Sequence, residues 1–225
     1  SAFAGDDFVV VDSEEKAKEI NDYRVENTKS KQIPSILTNK ESVFDDSSSP
    51  KELPIIIKSD DEVKIMREAG QIVGQTLQQI REMVQPGINL LEIESFVEEE
   101  FKRRGAVETF CNYKPGPQFP PYPSNVCASV TDELVHGIPT DRVLNEGDIV
   151  TFDLGATYKG FVGDSAITVP VGEISDEAKN LLKVTEESLF AGIKAAQAGD
   201  HLNDICTAIE ESILASASNY SIVTN

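Results

Sequence analysis

The sequence holds two histidines, three cysteines and no tryptophan in 225 residues, and its 20 basic residues face 39 acidic ones. With only His136 and His201 available, zinc fingers and multi-histidine metal sites are excluded. Cys111, Cys127 and Cys206 form no Cys-x-x-Cys pair, and an odd number cannot all be bridged. They read as reduced thiols in a reducing compartment. No apolar run approaches the roughly 18 residues that cross a bilayer. A net charge of −19 offers phosphate no basic footprint, which argues against nucleic acid and against an anionic membrane surface. Hydrophobic content of 40% is low for a fully packed chain, so part of it is expected to lie outside any core.

Residues 1–53 are polar and acidic, with short apolar clusters that lack sustained periodicity. They read as a flexible extension, with a boundary near Pro50 to Pro54. The chain opens Ser1-Ala2-Phe3-Ala4-Gly5 without Met, as after removal of a leader or beside a few foreign residues. Ser-Ala-Phe-Ala resembles the cleavage site of plastid-targeting leaders in algae with red-lineage plastids. A plastid is therefore expected, or otherwise the cytoplasm.

Residues 54–225 carry helix and strand grammar. Ser59-Asp60-Asp61-Glu62 has the form of a capping box and opens a helix whose inner face runs from Met66 to Val84. Pro86-Gly87 ends it, and a second helix spans about Leu90 to Arg104, with Ile93, Phe96, Val97 and Phe101 inside and Gly105 as terminator. Strands are expected near 125–130, 148–155 and 161–171. Ser175 then caps a helix from Asp176 to about Gln197, and a last helix covers about Leu202 to Ala217. Residues 116–123 include four prolines and form a stiff loop. The chain also echoes itself at an offset of 112: Gln85, Gly87, Leu90 and Ile93 recur as Gln197, Gly199, Leu202 and Ile205.

Asp153 and Asp164 bracket an alternating stretch rich in Val, Ile, Phe and Thr, with Lys159-Gly160 near its middle. The pattern predicts an antiparallel hairpin with its turn around Tyr158 to Gly160. An even-numbered loop puts both carboxylates on one face, and the expected register sets them directly opposite. Two opposed anions repel and weaken a sheet, so a divalent cation between them is the candidate explanation. Two solvated hairpin carboxylates are the plain alternative.

With Cys127-Ala128-Ser129-Val130-Thr131-Asp132-Glu133-Leu134-Val135-His136-Gly137-Ile138-Pro139, the hairpin and Val171-Gly172-Glu173-Ile174-Ser175, the chain resembles type I methionine aminopeptidases from about Ile55 onward. The resemblance implies an α/β (α+β) pita-bread fold, helices packed on an antiparallel sheet with pseudo-two-fold symmetry, of which this is the first half. It implies metal-dependent removal of the N-terminal Met from nascent polypeptides at a two-metal site of Co, Mn, Fe or Zn. Asp153 and Asp164 fall on metal ligands. His136 falls on the histidine that contacts the scissile amide, and Phe119, Tyr122 and Cys127 on the pocket for the Met side chain.

The family also uses a histidine in Gly-His-Gly and two later glutamates, and 1–225 holds no Gly-His-Gly. His201 aligns with Asn89 in the repeat and reads as a capping or surface residue. Thr131 stands where the family has Asn, and the loop 114–123 is enlarged. Two readings follow: part of a longer aminopeptidase, or an inactive half-fold that serves as a binding or structural subunit and is covered by a protein partner.

Overall fold

The computed structural model describes residues 57–216 and 220–222; the acidic extension and its boundary at 50–54 lie outside the described residues. Helix α1 (Asp60–Met83) carries Asp60, Asp61 and Glu62 in its first turn and Arg81 in its last, both complementing the helix dipole. Its buried stripe is Ala69, Ile72, Val73, Thr76, Leu77 and Ile80. Met66, expected on that stripe, is 40% exposed, because burial begins only at Ala69.

Helix α2 (Leu90–Arg104) has the bounds that its caps dictate. The Asn89 side chain accepts from the Leu91 amide, and Glu92 accepts the Asn89 N–H at 3.1 Å. Gly105 closes the other end in the left-handed conformation, φ 68°, where a Cβ would be strained. Glu100, 5% exposed, is ion-paired to Arg103 and Arg104, and Arg104 also donates to Gln75 of α1. The Arg104–Gln75 hydrogen bond thus links one helix to the other, and the ion pair within α2 holds Arg104 in place for it.

The helices lie on a sheet of four antiparallel strands: β1 (Val107–Glu108), β2 (Val126–Val130), β3 (Ile149–Tyr158) and β4 (Phe161–Pro170). β4 pairs along the whole of β3, while β2 and then β1 pair along its other edge. Even-numbered residues of β3 (Val150, Phe152, Leu154, Ala156) are all fully buried under the helices. Ala128 and Ile167 flank Phe152 in the same core, Val130 and Val169 flank Val150. Odd-numbered residues therefore turn to the opposite face. At Gly163 of β4 an added Cβ would come within 2.6 Å of the Ala69 carbonyl carbon, so α1 rests directly on this strand.

A second helix pair, α3 (Asp176–Ala195) and α4 (Leu202–Ala215), follows the sheet. The repeat holds in three dimensions. Helix ends Met83 and Ala195, and helix starts Leu90 and Leu202, share the offset of 112. Gly87 and Gly199 both adopt positive φ, 97° and 100°. The Asn89 cap bond to Glu92 recurs as a His201 N–H bond to Asp204, 2.7 Å long. His201 is thus the N-cap residue expected of it, with its side chain 90% exposed. Helices packed on one antiparallel sheet are the α+β architecture expected from the sequence.

Close approach at Gly163 gives a stability test. Gly163→Ala is expected to destabilise the chain by about 1–3 kcal/mol in chemical denaturation, through overpacking against α1. Gly74→Ala, where an added Cβ meets nothing within 4 Å, should instead stabilise α1 by about 0.5–1 kcal/mol.

Candidate metal centre

The β3–β4 turn is the two-residue pair Lys159-Gly160, with φ of 48° and 84°. Two positive φ values mark a type I′ turn, whose twist matches the strands it joins. Lys159 is braced over the Tyr158 ring at 4.7 Å and ion-paired to Glu68 of α1 at 3.2 Å. This centre pairs Asp153 with Ala166 and Gly155 with Asp164. The carboxylates share a face but are not directly opposite, contrary to expectation. They are diagonal neighbours, because the turn is centred one residue later than direct opposition requires. Diagonal pairs still lie within reach of one another across a sheet.

Around Asp153 the sheet is tight. Cys127 pairs with it from β2 and Ala166 from β4. Burial pushes the Asp153 carboxyl above the usual carboxylate range, the Asp164 anion pushes it further, and His136 pulls it back. Desolvation also raises Asp164. Opposite Asp164, Gly155 leaves no room for a side chain: a Cβ would meet Phe110 Cε1 at 2.7 Å and Thr109 Cβ at 2.9 Å. Phe110 therefore covers the sheet beside the pair. No motif in the sequence flagged it, since only the fold brings it to Gly155.

On the β2 side stand Tyr122 and Cys127. Burial pushes the Cys127 thiol up to about 11, against a hydrogen bond with Tyr122 and with help from Asp153 and Asp164. Burial likewise raises the Tyr122 phenol. Glu94 of α2, also unflagged by sequence, accepts hydrogen bonds from the Ser124 hydroxyl and the Asn125 amide and pins the start of β2. Phe119 is half-buried in a turn of the proline-rich loop, where its N–H donates to Gly116 O at 3.1 Å. It stands on that loop and not on the sheet.

His136 is exposed on the loop after β2 and adopts φ 60°. The next residue explains the sequence pair His-Gly. A Cβ on Gly137 would come within 2.8 Å of the Ala128 carbonyl carbon and 2.9 Å of Ser129 Cα, so only glycine lets the loop lie flat on β2. Thr131 also has positive φ, 56°, an unfavourable state for a β-branched residue. Its hydroxyl donates to Asp148 at 3.1 Å.

Hard carboxylate oxygens on one face suit a divalent cation. Asp153 is half-buried beside a second anion, and a cation would relieve both the desolvation and the repulsion. Among the described residues, no group of three His, Cys, Asp or Glu side chains closes around them. The residues present fit one wall of a cation site.

The raised carboxyls set a pH dependence. The native chain retains protons that the unfolded chain has released, so stability from these groups is full below about pH 4 and is lost as pH rises through the raised native values. In chelator, Asp153→Asn is expected to raise the thermal midpoint at pH 7. That gain should shrink toward zero below about pH 4, as melting curves across the range will read.

Comparison with known proteins agrees with this geometry. A family model described as metallopeptidase family M24 matches residues 64–223. Methionine aminopeptidase 1 of Bacillus subtilis is 45% identical over 156 residues, which are 69% of this chain and 60% of that protein. The methionine aminopeptidase of Clostridium acetobutylicum is 42% identical over 158 residues, 70% of this chain and 61% of its own. The solved methionine aminopeptidase of Thermotoga maritima has a TM-score of 0.67 at 37% identity, covering 72% of this chain and 63% of that one. The chain thus spans about 60% of the length of the curated relatives it matches. The matched region takes in the aspartate hairpin, the His136 loop and both helix pairs, and the chain belongs to metallopeptidase family M24 as a methionine aminopeptidase-like member.

Proposed function

We propose that the whole protein removes the N-terminal Met from nascent polypeptides in a metal-dependent reaction, and that this chain supplies one wall of its centre. The observation that carries the reading is the same-face pair of half-buried Asp153 and exposed Asp164, with His136 near enough to Asp153 to favour its charged form. Asp153 and Asp164 would hold divalent cations, with Mn, Fe, Co or Zn as the candidates for a two-metal site. When bound, such ions supply Lewis-acid polarisation of the amide carbonyl and water activation at neutral pH.

The remaining chemistry belongs to this chain's own side chains. His136, held on a loop at the edge of the sheet, can donate a hydrogen bond where negative charge develops on the scissile amide. Tyr122 and Cys127 keep their protons at neutral pH, because both are pushed up by burial. A protonated thiol is a poor nucleophile and a poor metal ligand, so Cys127 serves as an uncharged wall. With Phe119, these two side chains would form a pocket for a flexible thioether side chain, which packs well against aromatic rings and sulfur.

The test is Met release from a Met-Ala-Ser peptide by the whole protein loaded with Mn or Co. Asp164→Ala and chelation are each expected to lower kcat/KM by at least about a hundredfold. Turnover that survives both would refute the reading. A separate measurement concerns the metal itself: in calorimetric titration with Mn, Asp153→Asn is expected to weaken binding about tenfold or more, and an unchanged isotherm would remove Asp153 from the ligand set.

A further inference from the structure

Two consecutive peptide planes follow His136, and different groups hold them. The Gly137 carbonyl accepts hydrogen bonds from the Ala128 amide at 2.8 Å and from the Tyr122 hydroxyl at 2.9 Å. The Gly137 N–H belongs to the earlier plane, the one that leaves His136, and it donates to Ser129 Oγ at 3.1 Å. Ser129 is 3% exposed and sits on β2 two residues after Cys127, on the same face. Its hydroxyl therefore lies under the loop, within the sheet surface.

This bond bears on a conformation that needs support. At φ 60°, His136 places its Cβ against the neighbouring carbonyl, and such a state persists only where its surroundings hold it. Rotation of the His136–Gly137 peptide plane changes ψ of His136 and φ of Gly137, and with them the path by which the chain leaves this residue. Flat packing of Gly137 on Ala128 and Ser129 restricts that rotation sterically. The hydrogen bond to Ser129 adds to that restriction, because a flipped plane leaves the Gly137 N–H without this acceptor, although the hydroxyl can donate to the carbonyl that replaces it.

We propose that Ser129 is a positioning residue: by accepting the Gly137 N–H, its buried hydroxyl locks the peptide plane that leaves His136 and holds the imidazole beside Asp153. The functional half rests on the reading of His136 as the group that contacts the substrate amide, while the structural half does not.

The experiment pairs amide hydrogen exchange by NMR on the chain with peptide kinetics on the whole protein. In Ser129→Ala, exchange at Gly137 is expected to accelerate about tenfold or more, while the ladder amides of the paired residues Cys127 and Asp153 keep their rates. Ser129→Thr, which keeps the hydroxyl, should restore Gly137 protection. Ser129→Cys fills the volume with a poor acceptor and should behave like the alanine variant, so it gives the answer even if Ser129→Ala does not fold. Met-peptide turnover should fall in kcat with KM held in the alanine and cysteine variants and recover in the threonine variant. Unchanged exchange at Gly137 overturns the proposal, as does equal acceleration along all of β2. Loosened Gly137 with undiminished turnover overturns the positioning role. Absence of turnover in the unsubstituted whole protein, with Gly137 responding as described, counts against the proposed function and leaves the lock standing.

Discussion

The pairing of β3 with β4 through Lys159-Gly160 decides which residues face the helices and which face the site. Side chains alternate along a strand, so a slip of one residue would send Asp153 into the core and bring Phe152 and Leu154 out. Burial of Val150, Phe152, Leu154 and Ala156 opposes that slip, since each is fully enclosed. The turn adds a second constraint. Gly160 tolerates positive φ freely, whereas Lys159 does not and is held there by Tyr158 and Glu68. Core and turn therefore agree on one register, and the anionic pair follows from it. The sheet carries a repulsion on one face because the other face secures the strands.

That division explains which parts of the structure were legible in the sequence. Helix α2 was readable closely from its apolar spacing and from Gly105 as terminator, and the Asn89–Glu92 cap that fixes its start is an equally local signal, with hydrogen bonds inside one turn. The hairpin and the shared face of Asp153 and Asp164 were also readable from alternation. The turn centre was not: Tyr158-Lys159-Gly160 admits two even-numbered turns of the same parity, and alternation cannot separate them. Braces from Tyr158 and Glu68 do so, and the second comes from α1, 91 positions away. Phe110 and Glu94 were illegible for a related reason. Neither sits in a motif, and each reaches the site only once the sheet has brought Gly155 and Ser124 to it.

The internal repeat shows how far local grammar reaches. Both helix pairs have the same ends, the same positive-φ glycine and the same backbone cap, so these features need only the sequence around the turn. Burial does not follow. Leu77 and Leu90 are 2% exposed, while their counterparts Leu189 and Leu202 are 54% and 77% exposed. In the first pair the apolar stripe lies on β3 and β4. In the second, α3 and α4 pack on one another through Gly192, where a Cβ would meet Ile209 Cγ1 at 2.7 Å, and α4 has no buried residue among those described. Amphipathic spacing thus specifies a helix and its inner face, but the covering layer supplies the burial.

The site combines two electrostatic regimes that would interfere if they were mixed. On the sheet, Asp153 and Asp164 are anions held close together at a cost to stability, as functional residues commonly are. Along β2, Tyr122 and Cys127 stay neutral, and the neighbouring carboxylates help keep them so: Asp153 and Glu94 both disfavour a charge on either group. The same negative field that would attract a cation thus suppresses a second anion beside it. A thiolate at Cys127 would compete for the cation and put a charge in the apolar wall. Burial comes first in preventing this, and the acidic neighbours reinforce it. An acidic floor and an uncharged wall are therefore mutually consistent, because the charge of one maintains the neutrality of the other.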